Sequence, residues 1–210
     1  MRRPGSMWAL ETLGRTRLSR HFYMRDFLYS EISGFHGIPN IPDKPDLAIE
    51  TGRALCETLL DPLTDTFGRI AIRSGYRSAA LNAYGNENRL NCARNDNALE
   101  CHIWDRGEGN ARIAGVSVVI PWFADRYARG RDWRDLAWWL HDHLAYSEIW
   151  FFPKLCAFNI SWRPKPQRRI DSYIAPRGTL LRAGAQPSEP LEPRRKRYAD
   201  FPPFRGLALP

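Results

Sequence analysis

The apolar positions of this chain follow two periods. In Arg69-Ile-Ala-Ile-Arg73 they alternate, which places Ile70 and Ile72 on one face of a strand. Val116-Ser-Val-Val-Ile-Pro-Trp122 is a short apolar run closed by proline, the pattern of a buried strand. Glu148-Ile-Trp-Phe-Phe152 and Ala157-Phe-Asn-Ile-Ser-Trp162 predict two more. In the second, Phe158, Ile160 and Trp162 share a face and leave Asn159 and Ser161 on the other. Elsewhere the spacing is helical. Met24, Phe27, Leu28 and Ile32 form one stripe and predict a helix over about 23–33. Thr51, Ala54, Leu55, Thr58 and Leu59 predict another over about 47–60, with Asp46 as its cap. Trp133, Leu136, Ala137, Leu140 and Leu144 predict a third over 133–144. Its Trp138 and Trp139 would form part of an outer wall and a candidate interface.

Between these elements the chain is punctuated. Pro39, Pro42 and Pro45 predict an extended loop, and the Asn-rich stretch between Asn82 and Gly109 predicts a long polar one. Loops of that length in a compact domain usually serve a function. Residues 1–20 are basic and weakly periodic, and read as an arm. After residue 180 the chain turns basic and proline-rich without periodicity, and reads as a tail or wrapping arm over 181–210. One domain over 21–180 is expected between them.

Composition narrows the function classes. With 210 residues, 43% hydrophobic and 12% aromatic, the chain can bury a core and is not a disordered protein. No apolar run reaches the roughly 18 residues of a membrane helix. No apolar stretch follows Met1-Arg-Arg, so no secretory signal is expected and the reading is cytoplasmic, with release from the cell or association with a phage left open. The net charge of +8 suits an acidic partner. Much of it sits in the tail cluster Arg194-Arg-Lys-Arg197, and no aromatic–basic alternation accompanies it, so nucleic acid is not the expected partner. The four cysteines form no Cys-x-x-Cys and read as reduced thiols. His141 and His143, two apart on a helix, point in different directions and do not make a metal pair.

Two stretches carry candidate chemistry. In Ser74-Gly-Tyr-Arg-Ser-Ala-Ala-Leu-Asn82 a strand runs into a turn at Gly75 and leaves Arg77 at the mouth of the sheet. A planar guanidinium there suits two-point recognition of a carboxylate. Cys101-His-Ile-Trp-Asp105 is the densest group of metal-ligating or acid–base residues.

The order of these parts resembles the zinc D-alanyl-D-alanine carboxypeptidase family, which includes L-alanyl-D-glutamate endopeptidases and shares its fold with the Hedgehog signalling domain. The resemblance covers residues 21–163. It rests on His21-Phe-Tyr-Met-Arg-Asp-Phe-Leu-Tyr-Ser30 with Gly37-Ile-Pro-Asn-Ile-Pro42, on Leu60-Asp-Pro-Leu63, on Ser74 to Asn82, and on Phe158-Asn-Ile-Ser-Trp162. It implies an α+β fold with a small central antiparallel sheet and helices packed on it. It also implies a peptidase-like protein acting on cell-wall or D-amino-acid peptides, with zinc as cofactor and a peptide or cell-wall fragment as partner. Zinc with three protein ligands leaves one position for a water whose pKa falls to about 7.

This chain departs from the family at its ligands. Val119 stands where the pattern has Asp, Arg112 where uninterrupted spacing would put His, Asn159 where the last strand has His, and Cys156 where one branch has Glu. By resemblance, with an insertion before Gly115, His102 and Asp105 are the remaining metal candidates. Arg77 would be catalytic, and Ser74, Tyr76 and Asn159 would bind substrate. Two readings stand: a metallopeptidase with altered ligands, or a zinc-free relative that binds a peptide, glycan or protein in the same groove.

Overall fold

A computed structural model describes residues 1–206. The alternating runs assemble into one six-stranded sheet of β1 (Ala71–Ser74), β2 (Ala114–Val119), β3 (Glu148–Phe151), β4 (Phe158–Trp162), β5 (Arg169–Ser172) and β6 (Gly178–Leu181). Their order across the sheet is β1-β2-β4-β3-β5-β6. Every neighbouring pair is antiparallel except β3 and β5, which run parallel. The fold is α+β, but the sheet is neither small nor purely antiparallel. The two additional strands come from the basic stretch after Trp162, where Ile170 and Leu181 are the buried apolar side chains and no long alternation announces them.

The two faces of the sheet differ. Val116, Val118, Phe158, Ile160, Ile149, Phe151 and Ile170 are fully buried against the helical layer. The pairing register lines up Ser74, Ser117, Asn159, Trp150, Asp171 and Thr179 side by side across all six strands. Side chains alternate along each strand, so this polar row lies opposite the core.

The helices are α1 (Met7–Gly14), α2 (Arg25–Leu28), α3 (Glu31–His36), α4 (Pro45–Leu55), α5 (Asp61–Phe67), α6 (Ala79–Glu87), α7 (Pro121–Tyr127), α8 (Trp133–His143) and α9 (Leu191–Arg197). A π-helical segment, Cys56–Leu60, joins α4 to α5. The helix expected over 23–33 is two: Tyr29 turns extended at ψ 137°, and Ser30 restarts the chain by accepting a bond from the Ser33 amide. Asp46 does not cap α4. It lies in the first turn, and its carboxylate meets the N-terminal ammonium group.

Both flanking segments pack on the domain. The expected arm contains α1 and places Leu13 and Leu18 in the core. The expected tail contains α9. Arg194 there bonds the Asp142 carboxylate at 2.6 and 3.2 Å, and Arg197 bonds Asp135 at 2.9 Å and Asp132 at 3.0 Å. The basic cluster is thus partly spent inside the molecule. Phe201 packs on Phe67, Trp122 and Phe123, while Phe204 packs on Trp139. Trp138 and Trp139 are consequently 1% exposed, so they are core residues and not the outer wall or interface expected. Residues 207–210 of the expected tail lie outside the described residues. The four cysteines are free and buried. Among the described residues, no helix is long and apolar enough to cross a membrane.

Candidate functional site

A cleft of about 1030 Å³ lies over the polar face of the sheet. Ser117, Asn159, Ser161, Glu148, Trp150 and Asp171 form its floor. The loop from Asn91 to His102 forms one wall, and Phe152 to Lys154 with Tyr173 form another. Arg73 joins the lining from the edge strand. The β1–β2 register slips between Ile72 and Ser74, so Arg73 sits at a bulge, a device that re-aims a side chain on a strand.

The loop carrying His102 is fixed against β2. The Trp104 indole donates to the Gly115 carbonyl at 3.0 Å, and the Gly115 amide donates to the Cys101 carbonyl at 2.7 Å. Any Cβ at residue 115 would collide with the Cys101 side chain, so glycine is required for this approach. Gly75 has a similar role. A Cβ there would come within 2.7 Å of the Phe27 backbone, so close packing, not an unusual backbone angle, demands glycine in the turn.

His102 is 3% exposed. Its Nδ1 lies 2.8 Å from the Gly75 carbonyl, which can only accept, so Nδ1 carries the proton and Nε2 presents a lone pair. Burial, reinforced by the nearby Arg77 charge, lowers its pKa to about 3, and the ring is neutral at physiological pH. Arg77 is held from within. Its backbone amide donates to the His102 carbonyl, and one terminal nitrogen bonds Asn82 Oδ1 at 2.8 Å and Cys92 Sγ at 3.0 Å. The other terminal nitrogen has only a 3.5 Å contact with the Ser74 hydroxyl. Arg77 therefore lines the cleft at 9% exposure with about half of its guanidinium committed to the loop. Burial raises the Cys92 thiol pKa, with Arg77 opposing that effect.

The expected site residues divide into two groups. Arg77, Asn159 and His102 line the same cleft, and Ser74 touches it through Arg77. Tyr76 and Asp105 belong elsewhere. Tyr76 is fully buried and donates to Asp105 Oδ1 at 3.1 Å. Asp105 Oδ2 accepts from the Asp43 and Lys44 amides at 2.7 and 3.1 Å, at the start of α4. Asp105 therefore pins the segment that leads into α4, and burial beside its negative charge raises the Tyr76 pKa.

This geometry tests the fit of zinc. His102 has the tautomer of a metal ligand, with Nδ1–H on a carbonyl and Nε2 bare. Asp105, its expected co-ligand, has both oxygens engaged on another side of the loop, and Asn159 Oδ1 accepts the Ser117 hydroxyl. Among the described residues no group of three or more His, Cys, Asp or Glu side chains could hold a metal ion. The donors present do not fit the zinc site that the resemblance implies.

The sequence reading passed over the β3 and β5 contribution to the cleft. Glu148 and Trp150 alternate with the buried Ile149 and Phe151 and pair with Ser161 and Asn159, so the same alternation that marked Asn159 marks them. Glu148 is pushed up in pKa by burial against the opposing charges of Arg163 and Arg169. Among the described residues, four buried side-chain atoms lack a hydrogen-bond partner within the chain: His102 Nε2, Glu148 Oε1, Trp150 Nε1 and Arg163 Nε. The first three belong to the cleft lining, and Arg163 stands 3.9 Å from Glu148. Comparison with protein-family models, curated proteins and solved structures gives no match to this chain.

Proposed function

We propose that this chain is a ligand-binding protein on a D-alanyl-D-alanine-carboxypeptidase-like framework, and that its cleft takes a peptide or cell-wall fragment without zinc held by His102 and Asp105. One observation carries the reading: three of the four buried polar atoms without a hydrogen bond, on His102, Glu148 and Trp150, belong to residues lining a single cleft. A buried polar group without a hydrogen bond costs about 1–3 kcal/mol, so three in one cleft favour an occupant that bonds them. They are chemically mixed. Trp150 Nε1 donates, His102 Nε2 accepts, and Glu148 does either according to its protonation. An amide-rich ligand, with N–H and C=O in equal number, complements that set.

The test is calorimetric titration of the purified protein with soluble muropeptides, followed by mass spectrometry of the ligand. Saturable binding with the ligand recovered intact is the expected result. Recovery of shortened products would return the chain to the hydrolases, and no heat of binding at millimolar ligand would remove the cell-wall reading.

A further inference from the structure

We infer that the cleft is specific for an acidic peptide, with a ligand carboxylate seated at the rim between Arg73 and Lys154. This deepens the proposed function and rests on it.

Arg77 looks like the natural anion receptor, but one end of its guanidinium already serves Asn82 and Cys92. Among the other cations lining the cleft, Arg169 is bound to Asp171 through bonds of 2.6 and 3.3 Å. Arg73 and Lys154 remain. Both line the cleft and are exposed, and neither is engaged in an ion pair among the described residues. Arg73 reaches the cleft because of the bulge in β1, and Lys154 because it sits in the 3-10 turn between β3 and β4.

The acidic groups of the cleft do not offset these two charges. Asp171 is neutralised by Arg169 and also accepts from Thr179 at 2.7 Å. Glu100 Oε1 accepts the His102 amide at 2.7 Å, and Glu148 Oε1 faces the Arg163 guanidinium at 3.9 Å. What remains is a cationic rim over a floor of partnerless donors and acceptors. His102, buried and with Nε2 bare, adds an acceptor from the adjoining wall.

The aromatic wall favours a peptide over a glycan. Tyr173 packs against Trp150 at 5.3 Å and 40°, and against Phe152 at 5.6 Å and 36°. These rings are tilted on one another and not coplanar. The wall is a ridged apolar surface suited to a side chain, not a flat platform for a sugar ring.

The experiment is titration of wild-type protein and of Arg73→Gln and Lys154→Gln with three probes: the cell-wall stem tetrapeptide as free acid, the same peptide with its carboxylates amidated, and a peptide-free chitooligosaccharide. Both substitutions are at exposed positions, and circular dichroism checks that the variants fold. The expected result is about tenfold tighter binding of the acid than of the amide by wild type. That preference should shrink in each variant and fall with added salt. Equal binding of acid and amide overturns the inference and leaves the proposed function standing. Binding of the oligosaccharide alone overturns it in favour of a glycan. No binding of any probe overturns both readings.

Discussion

His102 is the residue whose chemistry the structure redefines most. It reads in sequence as a metal ligand because it sits in a dense His/Asp group, and its neutral ring with a bare Nε2 is compatible with that role. Its neighbours are not. The neutral state has a consequence for stability. The unfolded ring binds a proton below about pH 6.5, whereas the folded ring resists protonation down to about 3. The contribution is fully present above pH 6.5 and is lost as the pH falls toward 3, at up to about 1.4 kcal/mol per pH unit for one proton. His141, lowered to about 4 by burial, acts in the same direction. Urea unfolding at pH 7.5 and 4.5 should therefore show a smaller stability difference in His102→Asn, whose amide can still donate to Gly75. An unchanged difference would contradict the neutral buried ring. Arg77 was legible as a placed cation from the Ser74-to-Asn82 motif. Its partners Asn82 and Cys92 were not, because the residues between them fold back through a loop with no period to read.

At the scale of elements, the strands and helices with strong periodicity were legible. These include β2 and β4, α8, and most of α4 with the segment after it. The misreadings have physical causes. Asp46 looked like a cap because it precedes an apolar stripe, yet it lies inside the first turn, and the segment before α4 is held by Asp105, more than fifty residues away in sequence and invisible to local pattern. Asp105→Ala should cost about 2–3 kcal/mol in urea unfolding, because it strands two amides and the Tyr76 hydroxyl. Ligand affinity should stay within about twofold, since Asp105 is not part of the cleft; a metal-ligand role would instead show as loss of function without loss of stability. The tail looked unstructured because its apolar residues are few and spaced by proline and arginine. Its ion pairs are what dock it. Arg194 and Asp142 are 9% and 7% exposed, so Arg194→Ala leaves a buried charge and should destabilise the protein by about 3–5 kcal/mol. Arg195→Ala removes an exposed pair and should change stability by no more than about 0.5 kcal/mol. Equal effects of the two would contradict the docked α9.

For the whole molecule, a sheet with one greasy face and one polar face explains both the fold and the site. Helices cover the first face, and the second is left as the floor of the cleft, with the edge bulge and the β3–β4 turn supplying cations at its rim. Asn159 and Ser161 could be read from alternation, and Glu148 and Trp150 carry the same signal. The contribution of Asp171 could not be read, because β5 joins beside β3 in parallel, a pairing that nothing in the local sequence encodes. The central claim is that the cleft holds a ligand bonded by its partnerless polar atoms. Trp150 reports on it directly, since its indole N–H is one of those atoms. In an ¹H–¹⁵N correlation spectrum the eight tryptophan indoles give separate signals, and Trp150→Phe assigns one of them. Addition of soluble muropeptides should shift the Trp150 indole resonance saturably and leave the buried Trp138 and Trp139 signals in place. An unmoved Trp150 resonance at millimolar muropeptide would contradict the account.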